Sequence, residues 1–493
     1  MKRMLFRAAL AAGVVTALAA SPSFSQTTFH KYVALGDSLT AGVEGVCLVE
    51  RHQIHSFPKV VAEQLGIADF QQPLLSERAL RDASTPACLG AVVAGGTITV
   101  GAVSQTGGPT NLTLPRPYDN LGIPGADTAD LVDLRVSSPT GGTASLASTV
   151  ILRNFPGGPF EGLNAVDEED LLGPDFVTLW IGNNDVLGAA LSGVAIEGVT
   201  LTPVALFEAK YTQVMTGLSA TGRTVVALNV PDVASIPFTT TIPPVVLDST
   251  TGHPVSLLGD RTTSTCSTTP CPIPDGTLVT LGASSLLAQG RGIPSDVTVE
   301  LGGRSVHGTG QPLPDGSFTT PPATLNMGVL LYPDEVALIR QRVLDLNARI
   351  ASIAAANGAT VIDIHALFDE IVENGYDVGG GIVLTRSFLT GGIFSADGFH
   401  PTNIGYAIVA KVILEHLNSV KGTHFELPDM AEAIFTADTP VLSTSAVAEP
   451  AAGPFGYSMQ MWKDLIKTAS PVTRTFQLAF PSPAKRAKRL FEP

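Results

Sequence analysis

The stretch Tyr32-Val33-Ala34-Leu35-Gly36-Asp37-Ser38-Leu39 decides how the chain is read. A short apolar run of β type, residues 32–35, stops at a Gly-Asp-Ser turn. The same event recurs downstream. Residues 175–181 (Asp-Phe-Val-Thr-Leu-Trp-Ile) form a buried-strand pattern that stops at Gly182-Asn183-Asn184-Asp185. Residues 223–230 form another, closed by Pro231-Asp232, and residues 360–364 a fourth. Helices are expected between them, over 57–65, 202–221, 334–356 and 403–417, with one or two helical turns at 128–135. In the third of these, Val336, Ile339, Val343, Leu346, Ile350 and Ile353 recur at helical spacing before Asn357-Gly358 ends the run. Strands alternating with helices predict a parallel sheet covered on both faces.

Two stretches interrupt this alternation. Residues 66–118 read as irregular, with a hairpin around 91–103. Residues 236–330 are rich in Thr, Pro, Gly and Ser, with short β-type runs at 277–282 and 297–301, and predict a β-rich insertion without a helix. There are no internal repeats. Beyond about residue 425 the pattern fades into a Pro- and Ala-rich tail, with one candidate helix at 458–469.

Three segments carry chemistry, and each falls where a predicted strand ends or a helix begins. The carboxyl ends of parallel strands line the ligand crevice of an open sheet. Ser38, at a strand-to-helix turn, would expose its hydroxyl there; taken singly, a helix N-cap explains such a serine equally well. The Gly182-Asn183-Asn184-Asp185 turn would project a neutral amide donor, although Asn and Asp favour turns anyway. In Asp397-Gly398-Phe399-His400 a carboxylate three residues before an imidazole can fold back and accept its Nδ1–H. That leaves Nε2 to take a proton from a serine. Pro401-Thr402 then reads as the start of the following helix. His365, after Asp363, is the second choice of base, and His52 with His55 reads as a polar loop pair rather than a metal site.

Together these segments resemble the SGNH or GDSL hydrolase family. Gly36-Asp37-Ser38-Leu39 matches its nucleophile block, Gly182-Asn183-Asn184-Asp185 its Gly-x-Asn-Asp block and Asp397-Gly398-Phe399-His400 its Asp-x-x-His block. Asn120-Leu121-Gly122-Ile123-Pro124-Gly125 is similar to the remaining block, and all four stand in the family's order. The resemblance implies a three-layer α/β/α sandwich, flavodoxin-like, with a parallel sheet of about five strands. It implies a catalytic triad of Ser38 as nucleophile, His400 as base and Asp397 as its orienter. It also implies an oxyanion hole built from the N–H groups of Ser38 and Gly125 and the side chain of Asn184, with Gly122 as the competitor of Gly125. No Gly-x-Ser-x-Gly elbow supports the alternative α/β-hydrolase architecture.

Composition narrows the partners. The chain has 493 residues, a formal charge of −15 and only 15% charged residues. A concentrated basic face is what nucleic acid requires, and the one basic cluster, Lys485 to Arg489, lies in the tail. Lys2, Arg3 and Arg7 followed by the apolar run 8–20 and small residues read as an export signal over residues 1–25, too short to span a membrane. The hydrolase domain is then expected over 26–425, enclosing the insertion, with 426–493 as a partly disordered C-terminal extension. The expected location is outside the cytoplasm: secreted, periplasmic or on the cell surface. Four cysteines suit an oxidising compartment: Cys266 with Cys271 flanks a short loop, which would leave Cys47 with Cys88, although three pairings are open. A zinc site is disfavoured because neither pair has metal-ligand spacing.

The expected activity is hydrolysis of a small-molecule or lipid ester, with transient contact to a lipid surface. No metal or organic cofactor is implied. A carbohydrate deacetylase, a thioesterase or lysophospholipase, and a non-catalytic surface-binding protein of the same fold remain as alternatives.

Overall fold

The computed structural model describes residues 28–437, except 81–86, 95–96, 136–143, 145, 220–221 and 321–322. The export signal, the candidate helix at 458–469 and the basic cluster therefore lie outside the described residues.

Five parallel strands form the central sheet: β1 (Tyr32–Gly36), β2 (Asn120–Gly122), β3 (Phe176–Trp180), β4 (Thr224–Leu228) and β5 (Thr360–Ile362). Their spatial order is β5-β4-β3-β1-β2. The order reverses between β1 and β3, which is where an open parallel sheet leaves a crevice at its carboxyl edge. Register decides what meets there. Gly36 pairs with Trp180, so the turns carrying Ser38 and Asn184 leave the sheet side by side. Gly36 cannot carry a side chain, since a Cβ would lie 2.3 Å from the carbonyl oxygen of Trp180.

Side chains alternate along each strand with period two, and the two faces pack against different helices. Tyr32, Ala34, Phe176, Trp180, Val226, Leu228 and Ile362 share one core with α2 (Phe57–Gln64) and α7 (Asn403–Lys421). Val33, Leu35, Val177, Leu179, Val225 and Ala227 share the other with α3 (Asn184–Ser192), α4 (Val204–Leu218) and α5 (Pro333–Ala356). The expected three-layer α/β/α sandwich is thus the observed one. Two more helices complete the frame around the site: α1 (Ser38–Ala41) and α6 (Ile364–Asn374).

The interruptions are more ordered than their composition suggests. The 66–118 region, expected to be largely irregular, contains a three-stranded antiparallel sheet of Leu75–Arg78, Cys88–Ala94 and Thr97–Pro109. The 236–330 insertion consists mainly of two-stranded antiparallel pieces, such as Val245–Leu247 with Pro254–Ser256 and Thr298–Leu301 with Arg304–His307. Against expectation it also holds single helical turns at Pro237–Thr240, Leu281–Ala283 and Ser284–Leu287. Beyond residue 425, Met430–Thr436 is helical and its Thr436 carbonyl accepts from Asn403 Nδ2 at the start of α7.

One buried acid in this frame is uncompensated. Glu168 is fully buried on the helix Ala165–Leu172, and neither carboxyl oxygen has a hydrogen-bond partner among the described residues. Burial pushes its pKa from 4.5 up to about 9, against the pull of Arg153. The folded protein then holds a proton that the unfolded chain releases, so stability is greatest in acid and declines as pH rises from 4.5 towards about 9. Glu168→Gln keeps the shape and removes this slope. Thermal melts should show the variant more stable than the parent at about pH 8 and equal to it at about pH 3, where the group is protonated in both states.

Candidate active site

The nucleophile block folds as a capped turn. Asp37 precedes α1 and its Oδ1 accepts from Leu39 N at 2.9 Å, while Oδ2 accepts from Asn183 Nδ2 at 2.9 Å. This side-chain bond ties the turn after β1 to the turn after β3. Burial pushes the Asp37 carboxyl up to about 6 in spite of those bonds and of nearby His400.

Ser38 and His400 stand 362 residues apart in sequence and meet at 2.9 Å, Oγ to Nε2. On the far side of the ring, Nδ1 lies 2.7 Å from Asp397 Oδ2. The carboxylate also accepts from the N–H groups of Phe399 at 3.0 Å, His400 at 2.8 Å and Val46 at 2.8 Å. Burial raises the Asp397 pKa, but His400 and these hydrogen bonds outweigh it and hold the group below the ordinary carboxylate value. An ionised carboxylate can only accept. The ring proton therefore sits on Nδ1, and Nε2 is left to accept from the Ser38 hydroxyl. The loop that makes this turn is held from behind by the insertion. Gly398 has φ +81° and packs on Phe238, whose N–H donates to the Gly398 carbonyl at 2.9 Å.

The donor from Val46 comes from a turn that sequence reading did not single out. Glu44 and Cys47 exchange backbone hydrogen bonds at 3.1 and 3.0 Å around Gly45 (φ +54°) and Val46 (φ +58°). Both central residues are left-handed, the geometry of a type I′ hairpin, and valine enters that region at a cost of about 1–3 kcal/mol. Three contacts hold the turn in place. Gly45 N donates to Ser395 Oγ at 3.1 Å, Leu89 N donates to the Gly45 carbonyl at 2.8 Å, and Cys47 is joined to Cys88 by a disulfide. The second disulfide joins Cys266 to Cys271, so the pairing favoured by loop spacing is the observed one.

The Asn-Asp block clamps the loop after β2. Asn184 Nδ2 donates to the Ala126 carbonyl at 2.8 Å. Asp185 Oδ2 accepts from Thr128 N at 3.0 Å and Thr128 Oγ1 at 2.8 Å, and burial with nearby Asp127 raises its pKa. The two glycines of the Asn120 block separate here. Gly122 N–H is spent on Asn120 Oδ1 at 3.0 Å, whereas Gly125 turns at φ +79° within the clamped loop. His365 is not brought to Ser38; its Nε2 faces Asp369 at 3.6 Å along α6. His52 is buried on the helical turn Glu50–Gln53.

Ser38, His400, Asn183 and Asn184 open onto a cavity with about 850 Å³ of empty space, its solvent-filled mouth included. The remaining walls are almost wholly apolar.

A family description, GDSL-like Lipase/Acylhydrolase, matches residues 32–413. The chain belongs to this family. The match runs from β1 to within α7 and so spans the segments that carry Ser38, Gly125, Asn184, Asp397 and His400. Comparisons with curated proteins and with solved structures found no match.

For this GDSL-like hydrolase the Val46 turn yields a test. Replacing Cys47 and Cys88 together by Ala frees the turn that aims the Val46 N–H at Asp397. A hydrogen bond to a charged group contributes about 1.5–3 kcal/mol, so hydrolytic kcat should fall by roughly ten- to 100-fold with KM little changed. Steady-state kinetics on the folded double variant check this, and full retention of kcat would reduce the turn to a structural role.

Proposed function

We propose that the protein is an exported serine ester hydrolase, a lipase or esterase in the broad sense, acting through an acyl-enzyme on Ser38. The observation that carries this reading is the unbroken line from Ser38 Oγ through the His400 ring to Asp397, with spacings of 2.9 and 2.7 Å, at the edge of an apolar cavity.

His400 Nε2 takes the hydroxyl proton as Ser38 Oγ bonds to the ester carbonyl carbon. Negative charge gathers on the former carbonyl oxygen. It would be met by the N–H groups of Ser38 and Gly125 and by the second N–H of Asn184 Nδ2, the first being engaged by Ala126. The tetrahedral species collapses, the C–O bond to the alcohol breaks, and the alcohol leaves with the proton from Nε2. Water then attacks the acyl-enzyme, giving its proton to the same nitrogen, and the acid is released as Oγ recovers that proton. Asp397 stays ionised throughout and stabilises the transient imidazolium.

Two observations support export. The N-terminal sequence has the form of a signal segment, and disulfides persist in oxidising compartments. Among the described residues, no helix is long and apolar enough to cross a membrane. A carbohydrate deacetylase is less well supported, because the cavity walls away from Ser38 carry few groups to pair with sugar hydroxyls.

A fluorophosphonate should form an adduct on the peptide containing Ser38, detected by mass spectrometry, and Ser38→Ala should abolish both adduct and turnover. Absence of label on the folded wild-type chain would instead point to a non-catalytic binding protein. Asn184→Ala should lower kcat by roughly 10²–10³ if its amide supplies one oxyanion donor. Unchanged turnover would remove Asn184 from the hole.

A further inference from the structure

One buried hydroxyl ties together the segments that carry Ser38, Asp397 and His400. Tyr406 stands on α7, in the second turn after His400, and is wholly buried. Its ring belongs to the core that holds Ala34, Phe57 and Trp180. Phenylalanine would fill that volume as well. The hydroxyl is what needs a reason, since a buried hydroxyl costs free energy unless it is paired. It donates to the Val43 carbonyl at 2.6 Å. Val43 in turn donates its N–H to the Ser38 carbonyl at 3.0 Å. A few residues on, the Val46 N–H reaches Asp397 at 2.8 Å. The run 43–46 is therefore fixed at one end to the turn of Ser38 and to the helix behind His400, and at the other end to Asp397. Burial and the carboxylates of Glu44, Asp397 and Asp37 hold the proton on Tyr406 well above a phenol's usual range. The group is thus a donor at every working pH.

We propose that Tyr406 is a positioning residue for hydrolysis: its hydroxyl fixes Val43, and through the run 43–46 it sets Ser38 Oγ and Asp397 against the two nitrogens of His400. The proposal rests on Ser38 being the nucleophile. Tyr406 does not line the cavity, so it acts through these bonds and not on substrate. Without its hydroxyl, the left-handed pair Gly45 and Val46 would be held by Ser395, Leu89 and the Cys47–Cys88 disulfide. Valine occupies that backbone region at a cost, so a loosened turn relaxes away from it and withdraws its N–H from Asp397. A carboxylate with one donor fewer binds a proton more tightly and favours the imidazolium beside it. Proton affinity at the site should therefore change along with rate, which a loss of core stability alone would not produce.

The test is Tyr406→Phe in the full chain, with kcat on p-nitrophenyl butyrate expressed per Ser38 site titrated by a fluorophosphonate, so that unfolded protein is not counted. Loss of one buried hydrogen bond should lower kcat about three- to tenfold with KM little changed. The acid limb of kcat/KM should move to higher pH by about half a unit. Ser395→Ala cuts another tie of the same turn, at Gly45 N, and should move the limb in the same direction. It carries the test if the phenylalanine variant does not fold. An acid limb that stays in place or moves down would overturn the proposal and leave the hydrolase standing, whether or not the melting temperature or kcat falls with it. So would an unmoved limb in Ser395→Ala where Tyr406→Phe does not fold. Failure of Ser38 to label in the folded parent would instead defeat the hydrolase reading itself.

Discussion

The pairing of Gly36 with Trp180 is the constraint on which the site depends. It sets the ends of β1 and β3 level at the place where strand order reverses. Two turns then leave the sheet as neighbours, one bearing Ser38 and the other Asn183 and Asn184. The Asn183–Asp37 hydrogen bond locks them together. A one-residue slip of β1 would turn Tyr32 and Ala34 into the opposite core and withdraw Ser38 from the crevice. The apolar alternation that fills the two cores therefore also aims Ser38, so stability and site geometry are not independent.

The other half of the site is built by convergence on one carboxylate. Asp397 collects three backbone N–H groups and the imidazole, from its own loop and from the Gly45–Val46 turn. The insertion after β4 takes part, because Phe238 braces Gly398. A segment that reads in sequence as a β-rich insertion thus buttresses the Asp-x-x-His loop.

Much of this was legible in the residues. Four of the five strands, the long helices α4, α5 and α7, and the segments that meet around Ser38 follow from apolar periodicity and from motifs at strand ends. The rest had physical reasons to stay hidden. β2 is three residues long and carries Asn120 and Gly122, so it lacks a strand's apolar signature. α3 opens on the Asn-Asp turn itself and contains Gly188, which masks its helical character. α6 did carry a signal, the spacing of Ile364, Leu367, Phe368 and Ile371, but Asp363 and His365 drew the reading towards a polar strand end. A left-handed valine such as Val46 leaves no mark in sequence, because only tertiary contacts hold it there. The disulfide partners, by contrast, were indicated by the short loop between Cys266 and Cys271, and the fold selects that pairing from the three open ones.

The order of these parts along the polypeptide has a consequence for biosynthesis. Ser38 emerges early and His400 only when the domain is nearly complete, while the brace on Asp397 needs residues 44–47 returned against residues 395–400. On the proposed reading, an unfinished chain therefore carries an alcohol without its base. It would gain activity only once the early and late segments have closed on each other. Latency of this kind would follow simply from which end of the ribosomal product bears which group.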